Sequence, residues 1–349
     1  MEFADSNSGL APFPFTACKS LFNAEFLSEI IVDSHRHYLN KQDAFYIIDD
    51  YFSHLTPKNA DTLYIKAIES KKTLATATKI LTHFHKINLK RTDVIIAIGG
   101  GLTLDIVAFC ASIYKRGCDL WFIPTTIISI IDASIGGKTG INFGGIKNQI
   151  GSFYPANKVI LDFKFLNTLP ISEVRNGFAE LIKMMIVSER EFFRQDFDFI
   201  RKNLSDYLIK AITYKLQISS KDLFDKGERQ FLNLGHTFAH LLEVISDFKI
   251  SHGNAVAKGI YLAMKLSMDK GLLSESSFRN ILCFLKEFCV DIKLSKKERL
   301  RLKNEGNIIL RSDKKVEKQI KLILINEISV EFAYIENSDE LIDFILLNT

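Results

Sequence analysis

The stretch Asp93–Lys115, DVIIAIGGGLTLDIVAFCASIYK, decides the fold. Asp93–Ile98 is a short apolar run, rich in β-branched residues, that stops at three glycines. Such a run reads as a buried strand. From about Thr103 to Lys115 the period changes to that of a helix. Strand, glycine turn and helix in succession are one step of an α/β domain. Glycines let the backbone approach a phosphate, and a helix N-terminus favours the anion. The spacing is not GxGxxG, so a simple tight turn accounts for Gly99–Gly101 as well as a phosphate cradle does. Asp105, in the first turn of the helix, fits the positive end of the helix dipole without further function.

The same alternation extends outward on both sides. Ala44–Asp49 (AFYIID) and Thr62–Ala67 (TLYIKA) read as strands, and Lys72–His85 has helical periodicity. After the glycine unit come strands at Leu120–Ile123 and Lys158–Asp162. The expected fold of residues 1–168 is a Rossmann-like α/β domain with a mostly parallel sheet. From Ile171 to about Phe288 long helical periods replace the strands, with a polar break at Lys221–Gly227. Two short strands, Ile320–Ile325 and Ser329–Tyr334, and a closing helix at Asp339–Leu347 end the chain. Residues 169–349 are therefore expected to form a second, mainly α-helical domain. Two domains also suit a length of 349 residues.

Composition excludes several classes. With 47% hydrophobic and 25% charged residues, the chain is globular rather than disordered. Lysine and arginine exceed the acids by 45 to 41, a net +4, too slight a bias to argue for nucleic acid. The basic run KKERLRLK, Lys296–Lys303, has the spacing of a solvated helix face. No run reaches the roughly 18 apolar residues of a membrane helix, and Pro124, Thr125 and Thr126 interrupt the most apolar stretch. The first residues lack the basic region of a signal peptide. Five cysteines with no CxxC spacing suit a reduced, cytoplasmic protein.

Three regions carry candidate chemistry besides the glycine turn. In LGHTFAH, His236 and His240 lie one turn apart on a single helix face, and His252 follows before Gly253. AELIK places Glu180 and Lys183 on another helix. Two histidines and a carboxylate are a ligand set that a catalytic divalent metal accepts with a position left for substrate. Each histidine taken singly reads more readily as a satisfied core residue than as a ligand. The third region, SIGGKTGINFGGIKNQI (Ser134–Ile150), combines five glycines with Lys138, Asn142, Lys147 and Asn148. Lysines supply point charge and asparagines read hydroxyls, which suits an anionic, polyhydroxylated ligand; an ordinary surface loop is the plain alternative.

These segments resemble 3-dehydroquinate synthase and the wider sugar-phosphate cyclase family. The resembling runs are GGGLTLD, YKRG, PTT, DASIGGKTGIN, KNQIGSFYP, FLNTLP, NGFAELIK, RQFLNLGHTFAH and SHGNAV, in that order between Gly99 and Val256, with Asp313-Lys314-Lys315 near the end. The resemblance implies an NAD- and metal-dependent lyase, with zinc or cobalt. It would turn a seven-carbon sugar phosphate, 3-deoxy-D-arabino-heptulosonate 7-phosphate, into 3-dehydroquinate and phosphate in aromatic amino acid biosynthesis. It makes Glu180, His236 and His252 the metal ligands. It assigns NAD to Gly100, Gly101, Leu102, Thr103, Leu104, Asp105, Thr125, Thr126, Lys138, Lys147, Phe165, Leu166, Asn167 and Thr168. Asp50, Glu69 and Lys72 would serve its adenosine ribose. Substrate would meet Asp132, Asn148, Lys183, Lys215, Arg229, Asn233, His240, Lys314 and Lys315. Lys138 would share in the phosphate clamp, and Arg116 would reach the phosphate in a neighbouring subunit, implying a homodimer.

Departures from the family pattern are Leu104 and Ala239 for glycines, Phe143 for histidine, Asn254 for glutamate and Asn176 for serine. Leu104, Phe143 and Asn176 look more like cyclases of secondary metabolism. The set Lys183, Lys215, Asn233 and His240 is that of the dehydroquinate-forming branch. A related cyclase acting on another sugar phosphate, such as an amino-substituted one, stays open as the alternative. A polyol dehydrogenase of similar architecture or an inactive binding homologue fits the lysine and ligand set less well. Residues 1–40 receive no role.

Overall fold

The computed structural model describes residues 19–22, 28–41, 43–58, 60–144, 146–288, 293–314 and 319–349. The chain forms two compact units. The first takes in the residues up to Pro170 together with Arg201–Asp225, and the second Ile171–Ile200 and the residues from Lys226 onward.

The first unit is built on one sheet. Its strands are β1 (Lys19–Phe22), β2 (Glu29–Val32), β3 (Ala44–Asp49), β4 (Thr62–Ile65), β5 (Val94–Gly99), β6 (Asp119–Pro124) and β9 (Lys158–Leu161). A small separate hairpin pairs β7 (Ile141–Phe143) with β8 (Ile146–Ile150). The order across the sheet is β1-β2-β9-β6-β5-β3-β4, and every pairing but β1–β2 is parallel. All six residues of β5 are buried, as a central parallel strand covered on both faces requires. Helices α1 (Leu74–Lys86) and α2 (Gly101–Ile113) are the crossover helices on either side of β5. From β3 the chain steps outward to β4, then back past β3 to β5. Progression therefore reverses between β3 and β5, and in such sheets ligands bind beyond the carboxyl ends of strands at the point of reversal. Asp49 and Gly99 end those two strands.

Strands β3, β5, β6 and β9 and helix α2 stand where the α/β reading expects them, within a residue or two. Two features of its strands were not expected. β1 and β2 extend the sheet at one edge, and the glycine-rich segment after Ser134 contains the β7–β8 hairpin rather than a plain loop.

The second unit is mainly helical. It comprises α3 (Ile171–Ser188), α4 (Phe197–Lys202, shared with the passage into the first unit), α6 (His236–Ile245), α7 (His252–Asp269), α8 (Glu275–Phe288), α9 (Lys296–Lys314) and α10 (Ser338–Asn348). An antiparallel pair, β10 (Ile320–Ile325) and β11 (Val330–Ile335), completes it. The intervening helix α5 (Leu204–Lys221) belongs to the first unit, where it packs on the turn Ser129–Ala133.

Helices α6 and α7 meet closely because two glycines face each other. Gly235, with φ +77°, is the left-handed residue before α6. A Cβ on Gly259 of α7 would lie 2.1 Å from the Gly235 carbonyl oxygen. Gly259→Ala must therefore push α6 away from α7. We expect a loss of about 1–3 kcal/mol, measured as a lowered urea midpoint in metal-free protein. An unchanged midpoint would show that the helices do not need this contact.

Candidate functional site

In the first unit, the glycine turn opens as the sequence suggests. Gly100 is the extended residue before α2 and Gly101 begins the helix. A Cβ on Gly99 would lie 2.8 Å from the Thr103 side chain, and one on Gly101 3.2 Å from Ala133. The Thr125 N–H donates to the Gly99 carbonyl at 3.0 Å, tying the end of β6 to the turn. The hydroxyls of Thr103 and Thr125 are buried and find no hydrogen-bond partner among the described residues. Thr126 is bound into its own turn by Ser129. Leu104, the departure from glycine, is fully buried in the core, while Leu102 stays half-buried.

Lys72 is the joint of this unit. Only 5% exposed, it donates to Asp105 Oδ2 at 2.5 Å and to Asn148 Oδ1 at 2.5 Å. Burial pushes the Asp105 carboxyl above its ordinary range, and the Lys72 ammonium opposes that. Asn142 extends the chain of contacts. Its Nδ2 donates to Glu69 Oε1 at 2.7 Å, its Oδ1 accepts from the Asn148 N–H at 2.9 Å, and its own N–H donates to the Lys72 carbonyl at 2.7 Å. Thus Glu69, Lys72, Asp105 and Asn148 share one network. In the same unit, buried Lys215 of α5 donates to both the carbonyl and the carboxylate of Asp132. Lys138 pairs with Asp225 at 2.5 Å.

Other expected nucleotide contacts lie apart in character. Phe165 and Leu166 are core residues, the Phe165 ring tilted against His35 and edge-to-face with Phe52, while Asn167 and Thr168 are exposed. Asp50 is exposed in a 3₁₀ turn, Lys147 is half-buried, and Arg116 is exposed with φ +63°. Asp49, which the sequence reading passed over, ends β3 at the point of strand reversal. Burial, aided by the neighbouring Asp50 carboxyl, raises its carboxyl to about 6 against the Tyr51 N–H bond.

In the second unit, Glu180 lies in the middle of α3 at 1% exposure. Lys183, one turn on and 2% exposed, forms an ion pair with it. His236 opens α6 and His252 opens α7. His252 Nε2 lies 3.1 Å from Glu180 Oε1 and His236 Nε2 lies 3.6 Å from it. One ligand atom from each of the three falls within 4.8 Å of the others. Each histidine has an acceptor near its other nitrogen: the Leu234 carbonyl for His236 Nδ1 at 3.2 Å, and Glu243 Oε1 for His252 Nδ1 at 3.3 Å. Both rings can thus keep the proton on Nδ1 and offer Nε2, the arrangement of metal-bound imidazoles. Two nitrogens and an oxygen fit zinc or cobalt.

Charge in this cluster is divided unevenly. Burial, with Lys183 adding to it and Glu180 opposing, drives His236 down to about 3. Burial also opposes charge on His252, but hydrogen bonds to Glu180 and Glu243 overcome it and hold the ring at about 9. Burial disfavours a charged Glu180, yet Lys183 and the two histidines keep it well below the ordinary carboxylate range. His240 is half-buried with its ring 5.7 Å from that of His236. Arg229 is 1% exposed and Asn233 half-buried. Lys315 and the side chain of Lys314 lie outside the described residues. The sequence reading missed Glu243, although its place seven residues after His236 puts it on the same helix face.

The chain shares its fold with 2-deoxy-scyllo-inosose synthase. The solved structure of 2-deoxy-scyllo-inosose synthase complexed with carbaglucose-6-phosphate, NAD+ and Co2+ matches with a TM-score of 0.80 and 22% identity, over 95% of this chain and 100% of that one. More particularly, the chain belongs to the 3-dehydroquinate synthase family, whose N-terminal model matches residues 62–176 and whose C-terminal model matches residues 177–316. The 3-dehydroquinate synthase of Pyrococcus abyssi is 42% identical over 57% of this chain and 60% of its own length. That of Saccharolobus solfataricus is 36% identical over 76% of this chain and 77% of its own. The match thus spans less than two thirds of the Pyrococcus relative.

Asp49 gives a pH prediction. Its folded value of about 6 exceeds the roughly 3.9 of an unfolded aspartate. The stability it contributes is full below pH 4 and lost as pH rises through 6. Asp49→Asn, neutral throughout, should match wild type in melting temperature at pH 4 and exceed it by pH 8. Parallel melting curves across that range would remove the shifted carboxyl.

Proposed function

We propose that the protein is a 3-dehydroquinate synthase, a phosphorus–oxygen lyase converting 3-deoxy-D-arabino-heptulosonate 7-phosphate to 3-dehydroquinate and phosphate. The observation that carries this reading is the cluster of buried Glu180 with His236 and His252, with Lys183 paired to it, in a chain of this family. In this reading Glu180, His236 and His252 hold zinc or cobalt. The glycine turn with Thr125, Thr126 and the Glu69, Lys72 and Asp105 network holds NAD. When bound, NAD exchanges a hydride with substrate and regains its oxidised form, while the ion acts as a Lewis acid on a substrate hydroxyl.

The chain's own residues do the positioning. Lys215 fixed by Asp132, and Asn148 fixed by Lys72, would be oriented toward hydroxyls and a carboxylate. Lys138 adds charge for the phosphate. Lys183 and Asn233 would also meet the substrate, and Arg229 and His240 its phosphate. Buried lysine and arginine are held in place before substrate arrives, which lowers the entropy cost of reaction. Lys314 and Lys315 belong to the same proposal, as does a cytoplasmic homodimer in which exposed Arg116 reaches the neighbouring subunit's phosphate. Among the described residues no helix is long and apolar enough to cross a membrane.

The test is phosphate release from the seven-carbon substrate with zinc and catalytic NAD, with mass spectrometry of the product. Phosphate and dehydroquinate without net NADH are expected. Release only from a different sugar phosphate would replace the substrate, and net NADH accumulation would indicate a dehydrogenase instead. His236→Ala should lose stoichiometric zinc and turnover while staying folded by circular dichroism. Lys183→Ala should keep NAD and metal but lose about 10²–10³ in kcat, the scale of removing one preorganised donor. Unchanged turnover in Lys183→Ala would take that lysine out of the site.

A further inference from the structure

We propose that Glu243 positions His252 for the metal, as a carboxylate behind the ligand rather than a ligand itself; this rests on the metal reading of Glu180, His236 and His252. Glu243 sits on α6 two turns after His236, on the same face. It is 3% exposed. A buried carboxylate is costly unless it accepts hydrogen bonds. Its Oε1 lies 3.3 Å from His252 Nδ1, on the far side of the ring from Glu180, which Nε2 meets at 3.1 Å. A carboxylate only accepts, so the Nδ1 proton is committed to Glu243 and Nε2 is the nitrogen left for an ion.

The geometry also explains why His252 needs this help more than His236 does. The His236 side chain is 13% exposed and has the Leu234 carbonyl as its anchor, two residues away in its own chain turn. The His252 side chain is 38% exposed and stands at the first residue of α7, where no local carbonyl contact orients it among the described hydrogen bonds. Glu243 supplies the anchor from the neighbouring helix. It thereby makes the α6–α7 contact part of the metal site: one helix carries both a ligand and the carboxylate that aims the other ligand. A negative group behind the imidazole also raises its basicity as a ligand.

The experiment compares wild type, Glu243→Gln and Glu243→Ala as full chains. Zn2+ affinity is measured by chelator competition, the visible spectrum with Co2+ alone, and the melting temperature of metal-free protein. Glutamine keeps an acceptor oxygen but no charge; alanine keeps neither. We expect Zn2+ binding 10–100-fold weaker in Glu243→Gln, weaker still in Glu243→Ala, a shifted Co2+ spectrum in both, and metal-free melting of Glu243→Gln close to wild type. Glu243→Gln with wild-type Zn2+ affinity and Co2+ spectrum would overturn the role. So would a drop in metal-free melting temperature with an unshifted spectrum, since that marks packing alone. If wild type binds neither ion, the metal reading itself fails; if wild type binds and the variants do too, only Glu243's role fails.

Discussion

The second unit depends on keeping one carboxylate charged inside an apolar helix. Glu180 lies among Ala179, Leu181 and Ile182, all fully buried, and the side chain cannot reach water. An ionised carboxylate there is tolerable only with compensating charge and hydrogen bonds. Lys183 supplies the charge from the same helix, and two histidines from two other helices supply the rest. That requirement draws α3, α6 and α7 to one point. Close approach follows from it: a Cβ on Gly253 would meet the backbone of Asn176 in α3, and one on Gly259 would meet Gly235 before α6.

The first unit solves a related problem with a buried cation. Lys72 reaches Asp105 and Asn148 from the turn after β4, and Asn142 locks that turn to the β7–β8 hairpin. Asn148 takes a left-handed conformation, with φ +52°, to join it. Lysine and asparagine so fixed are donors already oriented, and Lys215 with Asp132 repeats the device. Preorganisation of this kind needs only residues whose partners are built into the same unit.

Much of this was legible along the chain. Ala44–Asp49 and Ile320–Ile325 form strands over the same residues the pattern marks, because apolar runs of six between polar breaks have few alternatives. Glu180, His236 and His252 were legible by motif. Less visible were the features that depend on distant pairing. β2 has only four residues, EIIV, and gains its place by pairing with β9, far along the chain. The hairpin hid among glycines. Lys72 meets Asp105 and Asn148 across separations of 33 and 76 residues, which no local period records. Leu104, a departure from the family's glycine, lies in α2 and is taken wholly into the core. Glu243 escaped notice because a lone acid in an apolar helix announces a partner without naming it.

Helix α5 has a consequence for how such a protein can be divided. The chain leaves its first unit after Pro170, returns for Arg201–Asp225, and leaves again. The returning segment carries Lys215 to Asp132 and Asp225 to Lys138. A fragment cut at Pro170 would strand both of those partners, and the remainder would carry a helix whose packing surface had been removed. The first unit is thus no interchangeable cassette: gene fusion or shuffling at a single point cannot transplant it, and any rearrangement that preserves it must keep the excursion intact.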